Sequence, residues 1–417
     1  MSAGEPADRV TSNTGTGMVQ TTFTEYAASW WSNVRSGELG SLPIIVGLGV
    51  IVGIFGSLDS TFFAARNFTN LLLQMAGLAV IAIGAVFILL LAEIDLAVAY
   101  VSAVGGVVMT MLLRPGDPGW PWWLAIGVAL AATTLIGMIH ALIVTKAGVP
   151  SFVVTLAGYL TWSGVVLILT TTYSTAGTIL IQEPVAVGIA GNFLSHLWGW
   201  ILAGVAIVGY LYLELSKART RSRRGLLRKP MAMIALQVAV VAVGSLGAVY
   251  YANQDRGVPM ATLILLIALV FWTFVTNRTR FGRHIYAVGG NPEAARRAGI
   301  NVDRVRIAVF MIGGLMAGVG GIILASRLRS VATNTGGGSL LLNVIAAAVI
   351  GGTSLFGGKG RVVDALLGAA VIVSVNNGMN MLGFAAGTKF VITGLVLLAA
   401  VLVDALSKKG RASRGMA

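Results

Sequence analysis

One apolar stretch follows another along this chain, most of them near the length that crosses a bilayer, and this repetition restricts the fold more than any single motif. The stretches lie at 41–58, 71–91, 97–113, 122–145, 150–171, 196–213, 231–252, 259–276, 306–326, 341–355, 364–382 and 388–405. A hydrocarbon core of about 30 Å takes about 20 apolar residues as a helix but only about 10 as a strand, so these lengths predict helices and argue against a membrane barrel. Inside lipid each segment must also satisfy its own backbone hydrogen bonds. The expected class is therefore an all-α polytopic integral membrane protein with about 10–12 transmembrane helices. The stretch at 341–355 is short and broken by glycine and serine in "AAAVIGGTSLFGG", which fits a half-helix or re-entrant segment as well as a full crossing.

Orientation follows from the basic residues. Only 11% of residues are charged, with 29 Lys and Arg against 15 Asp and Glu, where a soluble domain carries about 25% charge. The excess positive charge sits in short connections: "LSKARTRSRRGLLRKP" (215–230), 277–306, "GGKGR" (357–361) and the tail "SKKGRASRG". The positive-inside rule places these in the cytosol with both termini, and puts 59–70, 114–121, 172–195, 253–258 and 327–340 outside. Arg327 and Arg329 are the exception. This placement beside apolar spans argues against nucleic acid as the partner of the basic residues. It predicts a disordered cytosolic tail over 1–40, a transmembrane domain over 41–405 with cytosolic loops at 214–230 and 277–305, and a cytosolic tail over 406–417. Loop 215–230 can serve as a topology anchor, or bind anionic lipid or protein. Without cysteine there is no disulfide framework and no thiolate metal site.

"GGNPEAARRAGI" (289–300) interrupts the apolar pattern with a complete set of helix-end signals. Asn291 suits the N-cap, Pro292 the first helical position, and Glu293 the positive first turn; Arg296 and Arg297 suit the negative last turn, and Gly299 the left-handed position beyond it. The prediction is a separate helix of about seven residues, roughly 10 Å long. So short a helix needs packing support. It can lie on the membrane surface or project toward a cytosolic partner.

"YAVGGNPEAARRAGINV" resembles the coupling-helix segment of permease subunits of ABC importers for monosaccharides, in the ribose and xylose branch. "AEIDLAVAYVSAVGG" (92–106), "GVPSFVVTLAGYLTWSG" (148–164), "LLNVIAAAVIGGTSLFGGKGRVVDALLGA" (341–369) and "NNGMNMLGFAAGTKFVITGLVLLAAVLVD" (376–404) resemble the same family, so the likeness covers most of 60–405. The Glu-Ile-Asp form and the extra basic loop around 214–252 are more similar to xylose-type permeases than to the shorter ribose-type ones. The chain departs from the family pattern at Ala97 and Ala99, where Ser and Gly are common, and at His140 and Ala141, where Asn and Gly are common. The resemblance implies an alternating-access permease in a bacterial inner membrane, carrying a monosaccharide with a pentose such as xylose as first choice. It also implies an ATP-binding subunit docked on Gly290, Asn291, Pro292, Glu293, Ala294, Ala295, Arg296, Arg297 and Gly299, an external substrate-binding protein, and a second permease chain. The membrane lipid is the remaining partner. No cofactor or resident metal is expected. The alternative is a secondary, ion-coupled transporter of a small polar solute.

Other residues carry weaker signals. Glu93 and Asp95 stand at the junction of two apolar stretches, where an ionised carboxylate at the bilayer centre costs about 2.5–3.5 kcal/mol or more. They belong either to a solvated turn at the membrane edge or to the permeation path. Asn376 and Asn380, at i and i+4, share a helix face and serve either helix–helix bonding or sugar hydroxyls. His140 is read as a hydrogen-bonded interior residue with a possible place in the path. "GGTSLFGGKGR" fails the phosphate-loop pattern, with Thr353 at the first glycine position and Gly360 at the hydroxyl position. ATP hydrolysis is therefore expected in a separate polypeptide. The chain itself is not expected to be an enzyme.

Overall fold

The computed structural model describes residues 42–396 other than 117 and 225–228, together with 398 and 402. The tails expected at 1–40 and 406–417 lie outside the described residues. The helices are α1 (Leu42–Leu58), α2 (Ala65–Leu90), α3 (Val98–Leu112), α4 (Trp122–Lys146), α5 (Ser151–Tyr173), α6 (Pro184–Gly191), α7 (His196–Arg223) and α8 (Met231–Asn253). They continue as α9 (Met260–Arg278), α10 (Arg280–Gly290), α11 (Pro292–Arg297), α12 (Val302–Leu328), α13 (Leu340–Ile350), α14 (Val362–Met381) and α15 (Ala386–Val396). Two three-residue strands, β1 (Thr178–Leu180) and β2 (Ser330–Ala332), pair antiparallel. Among the described residues eight helices are long and apolar enough to cross a membrane, and α1, α3, α13 and α15 are shorter apolar helices. The protein is thus all-α and polytopic. The interrupted stretch at 341–355 folds as the 11-residue α13, about 16 Å long and only half a crossing.

The chain divides into two compact units. The smaller includes residues 200–248, most of α7 and α8. Within it the buried Glu214 carboxylate takes ion pairs from Lys217 and from Lys229 (3.2 Å), and Lys229 also donates to Gln237. Pairing with two ammonium groups lets a carboxylate stay buried next to an apolar helix. Only 11% of the apolar window of each of these helices is buried within the chain.

The larger unit, 37–199 with 249–417, is built around α12. Glycines spaced along this helix admit three neighbours at backbone contact. A β-carbon on Gly320 would lie 2.8 Å from Gly77 O in α2, one on Gly314 2.2 Å from Thr133 O in α4, and one on Gly321 1.8 Å from Ser102 O in α3. Small residues let membrane helices approach this closely and gain dispersion contacts that lipid cannot outcompete. The small-xxx-small pair Gly314 and Gly318 seen in the sequence therefore faces α4, where Gly318 abuts Thr133 Oγ1.

The loops of this unit separate into two sets. At one end β1 pairs with β2, Phe193 bridges to Pro259, Asp255 accepts from Thr69 (2.6 Å), and Arg114 stacks on Tyr173. These contacts join 59–70, 114–121, 172–195, 253–258 and 327–340, the five connections assigned to one side by charge. The Thr69 hydroxyl holds the Asp255 carboxyl below the usual carboxylate range, against slight burial and with help from Arg256 and Arg66. At the other end Lys146 pairs with Asp303, Tyr286 donates to Gly360 O (2.8 Å), and Gly358 N–H donates to Leu90 O (2.9 Å). Arg329, an apparent exception to the charge rule, is the left-handed cap of α12 (φ 54°) at the hairpin end, and its carbonyl accepts from Ile181 N–H.

Candidate functional site

The short helix α11 forms as its end signals predict. Asn291 Oδ1 accepts from Ala294 N–H (2.9 Å), with Pro292 next in the chain. At the far end Gly299 (φ +82°) donates to Arg296 O, and Ile300 N–H donates to Ala295 O, the paired bonds that close a helix through a left-handed glycine. Six residues suffice for the helix, one fewer than the spacing predicts. Ala295 is buried, whereas Asn291, Pro292, Glu293, Ala294, Arg296, Arg297 and Gly299 are exposed. The Glu293–Arg296 pair (2.7 Å) is exposed and contributes little.

What holds α11 in place is a backbone junction. Gly289, the penultimate residue of α10, lies so close to the end of α2 that a β-carbon there would be 1.7 Å from Leu90 O and 2.9 Å from Gly358 N. Gly358 belongs to the turn between α13 and α14. The glycines of "GGTSLFGGKGR" thus serve contact and turning, with Gly357 and Gly358 at φ +77° and +70°. The turn is closed by Ser354 N–H donating to Lys359 O and by Asp364 accepting from Arg361. Burial and the Asp364 carboxylate raise the Tyr286 phenol above its usual range, opposed by Arg361; the phenol keeps its proton and the bond to Gly360.

Glu93 and Asp95 are partly buried, with the Glu93 side chain 12% exposed. Residues 91–97 form an irregular segment that runs along α12 toward the hairpin end. Glu93 pairs with Arg306 (3.0 Å) near the start of α12, while Ser102 touches Gly321, fifteen residues or about 22 Å further along that helix. Glu93 and Arg306 approach without hydrogen-bond alignment, since Arg306 Nε has no directed acceptor. The contact is ionic. The exposed backbone of the segment is satisfied by α5: Ile94 N–H donates to Ser151 Oγ (3.2 Å) and Leu96 N–H to Thr155 Oγ1 (3.0 Å). Asp95 Oδ1 accepts from Ala97 N–H (2.8 Å). Irregular backbone within a membrane domain requires such protein partners. Ala92 turns the chain out of α2 at φ +60°, a strained value for a residue with a β-carbon.

His140 is buried, and its Nε2 accepts from Trp162 Nε1–H (3.1 Å); a β-carbon on Gly158 would meet the ring at 2.5 Å. It is an interior hydrogen-bonded residue. Asn380 is exposed and accepts from Lys389 Nζ (2.6 Å). Asn377, between the two asparagines on the predicted face, is the buried one, and its Oδ1 has no hydrogen-bond partner. Among the described residues no hydrogen bond or ion pair joins Asn376 or Asn380 to Glu93, Asp95 or His140. Sequence reasoning missed Arg306, Ser151 and Thr155. Their signal was weak, because hydroxyls recur in nearly every helix here and Arg306 reads as one more basic residue of its loop.

A polytopic helical bundle with an exposed capped helix joined to its core by backbone contact invites comparison with known membrane proteins. Residues 67–401 match the family model described as the branched-chain amino acid transport system / permease component. The chain belongs to this permease family. It is 35% identical over 385 residues to the xylose transport system permease protein of Haemophilus influenzae, covering 90% of this chain and 99% of that one. The xylose permease protein of Escherichia coli is 36% identical over 376 residues, covering 88% and 93%. The ribose import permease protein of Escherichia coli is 32% identical over 360 residues, covering 86% and 92%. No solved structure matches the chain. Membership, with the eight apolar helices, makes this permease a multi-pass membrane protein.

Proposed function

We propose that this permease is the membrane subunit of an ATP-driven importer that carries a monosaccharide, a pentose such as xylose first, by alternating access. The observation that carries the reading is α11: a capped, exposed helix with one buried residue, tied by Gly289 to the end of α2 and to the α13–α14 turn. A force on α11 reaches two membrane helices through backbone contact, with no flexible side chain between. The ATP-binding subunit docks on Gly290–Gly299, a substrate-binding protein delivers sugar at the hairpin end, and a second permease chain completes the path. The α11 end is cytosolic in this scheme, as are both termini. Glu93, Asp95, His140, Asn376 and Asn380 stand in or beside the path, with the 91–97 segment as its moving wall. The names of the xylose and ribose relatives support the substrate class.

Reconstitution with the ATP-binding subunit and binding protein tests this directly. Sugar-loaded binding protein is expected to stimulate ATP hydrolysis for pentoses before hexoses, and no stimulation by any sugar would remove the assignment. At the docking helix, Glu293→Lys reverses a charge in the first turn and removes the pair with Arg296. We expect co-purification of the ATP-binding subunit to fall several fold while the variant still inserts. Unchanged co-purification and uptake would count against docking at α11.

A further inference from the structure

Between α3, α12 and the start of α13 lies an open cavity of about 280 Å³, large enough to hold several waters. Its polar lining comes from Ser102 on α3, Ser330 on β2, and Asn334 and Thr335 on the loop that follows; Leu324, Leu328 and Leu340 provide apolar wall. The loop reaches inward because it is glycine-rich. Gly336 (φ +85°) rests on α3, where a β-carbon would come within 2.9 Å of Ala99 O and 3.1 Å of the Tyr100 ring. Tyr100 in turn packs edge-on to Tyr159, ring centroids 4.8 Å apart.

The hydrogen-bonding capacity of this lining is only partly used. Ser102 Oγ donates to Ala99 O (2.6 Å) and keeps its lone pairs, while Thr335 Oγ1 accepts from Ala332 N–H (2.8 Å) and keeps its proton. The exposed Asn334 amide makes no side-chain hydrogen bond among the described residues. No charged side chain lines the cavity. An amino acid zwitterion or an anion would therefore find no counter-charge there, whereas a neutral ring of hydroxyls with an apolar face matches both kinds of wall.

We propose that this cavity is a monosaccharide site on the translocation path, with Asn334 and Thr335 as hydroxyl partners. The proposal rests on the sugar-permease reading and adds the place where the sugar is held. It lies about 22 Å along α12 from Arg306, toward the end where the binding protein would deliver.

The test exploits the absence of cysteine, which makes Asn334→Cys the permease's only thiol. In the assembled transporter in proteoliposomes, saturating xylose or ribose should slow maleimide labelling of Asn334→Cys several fold, and leucine should not. Asn334→Leu should raise the sugar concentration for half-maximal uptake about tenfold. Ser330→Cys provides the same labelling assay if Asn334→Cys fails to assemble. Wild-type transport with sugar-independent labelling at both positions and unchanged uptake by Asn334→Leu would overturn the site alone. A wild-type transporter that moves no sugar would overturn the permease reading and the site with it.

Discussion

Gly289→Ala is expected to abolish sugar uptake while Gly290→Ala leaves most of it. The two substitutions add the same methyl group to neighbouring glycines. At Gly289 the new carbon would lie 1.7 Å from Leu90 O and 2.9 Å from both Leu90 C and Gly358 N, all of them backbone atoms; at Gly290 nothing lies within 4 Å. Backbone cannot rotate out of the way as a side-chain tip can. The end of α10 must therefore move off α2 and the α13–α14 turn, at a cost of about 1–3 kcal/mol or more, and α11 moves with it. If α11 receives the push of ATP hydrolysis, the displaced joint should leave ATPase activity present but no longer coupled to transport. The measurement is uptake per ATP hydrolysed in proteoliposomes, with thermal unfolding in detergent to report stability. Equal uptake by the two variants would mean that the junction transmits nothing.

Arg306→Leu should destabilise the fold by about 2–4 kcal/mol, with most of the loss recovered by adding Glu93→Gln. The pair is 3.0 Å apart, with the Glu93 side chain 12% exposed and that of Arg306 27% exposed, so removing the cation strands a mostly buried carboxylate. Residual water access around Arg306 argues for the lower part of that range. Because the contact lacks hydrogen-bond alignment, its value is chiefly charge compensation, and neutralising Glu93 should restore what the lost guanidinium supplied. A double-mutant cycle on melting temperature measures the coupling. Simple additivity of the two losses would show that Glu93 is solvated after all and that the 91–97 segment does not depend on this pair.

Much of this molecule was legible in its residues. Most apolar stretches reappear as helices close to their predicted bounds, but α7 runs to Arg223, so residues 214–223 of the expected basic loop 214–230 are helical, and α13 stops at Ile350; five loops grouped by charge alone meet at one end of the larger unit. The ends of α11 follow the sequence because caps act over three or four residues, within reach of Asn291 and Gly299 themselves. The Glu-Ile-Asp junction was recognisable as a break, but its packing partners were not. A fully solvated turn and one packed on α5 and α12 leave the same letters in the chain. The difference lies in Ser151, Thr155 and Arg306, which take up the exposed groups from far along the sequence. Asn376 and Asn380 share a face as their spacing requires, yet burial fell on Asn377, because the neighbours of α14 decide which face is inward.

The sequence by itself determined that the chain crosses a membrane as helices, where most of those helices start and stop, and that a short capped helix forms in one loop. Hydropathy, helix caps and glycine act locally, so they can be read locally. Only the tertiary structure decided that Gly289 is wedged against α2, that 91–97 runs along α12 beside α5, and that "NTGGGS" folds back onto α3 to line a cavity. Each of these depends on which backbone atom arrives within 4 Å from a distant part of the chain, and nothing in the spacing of residues along the chain records that.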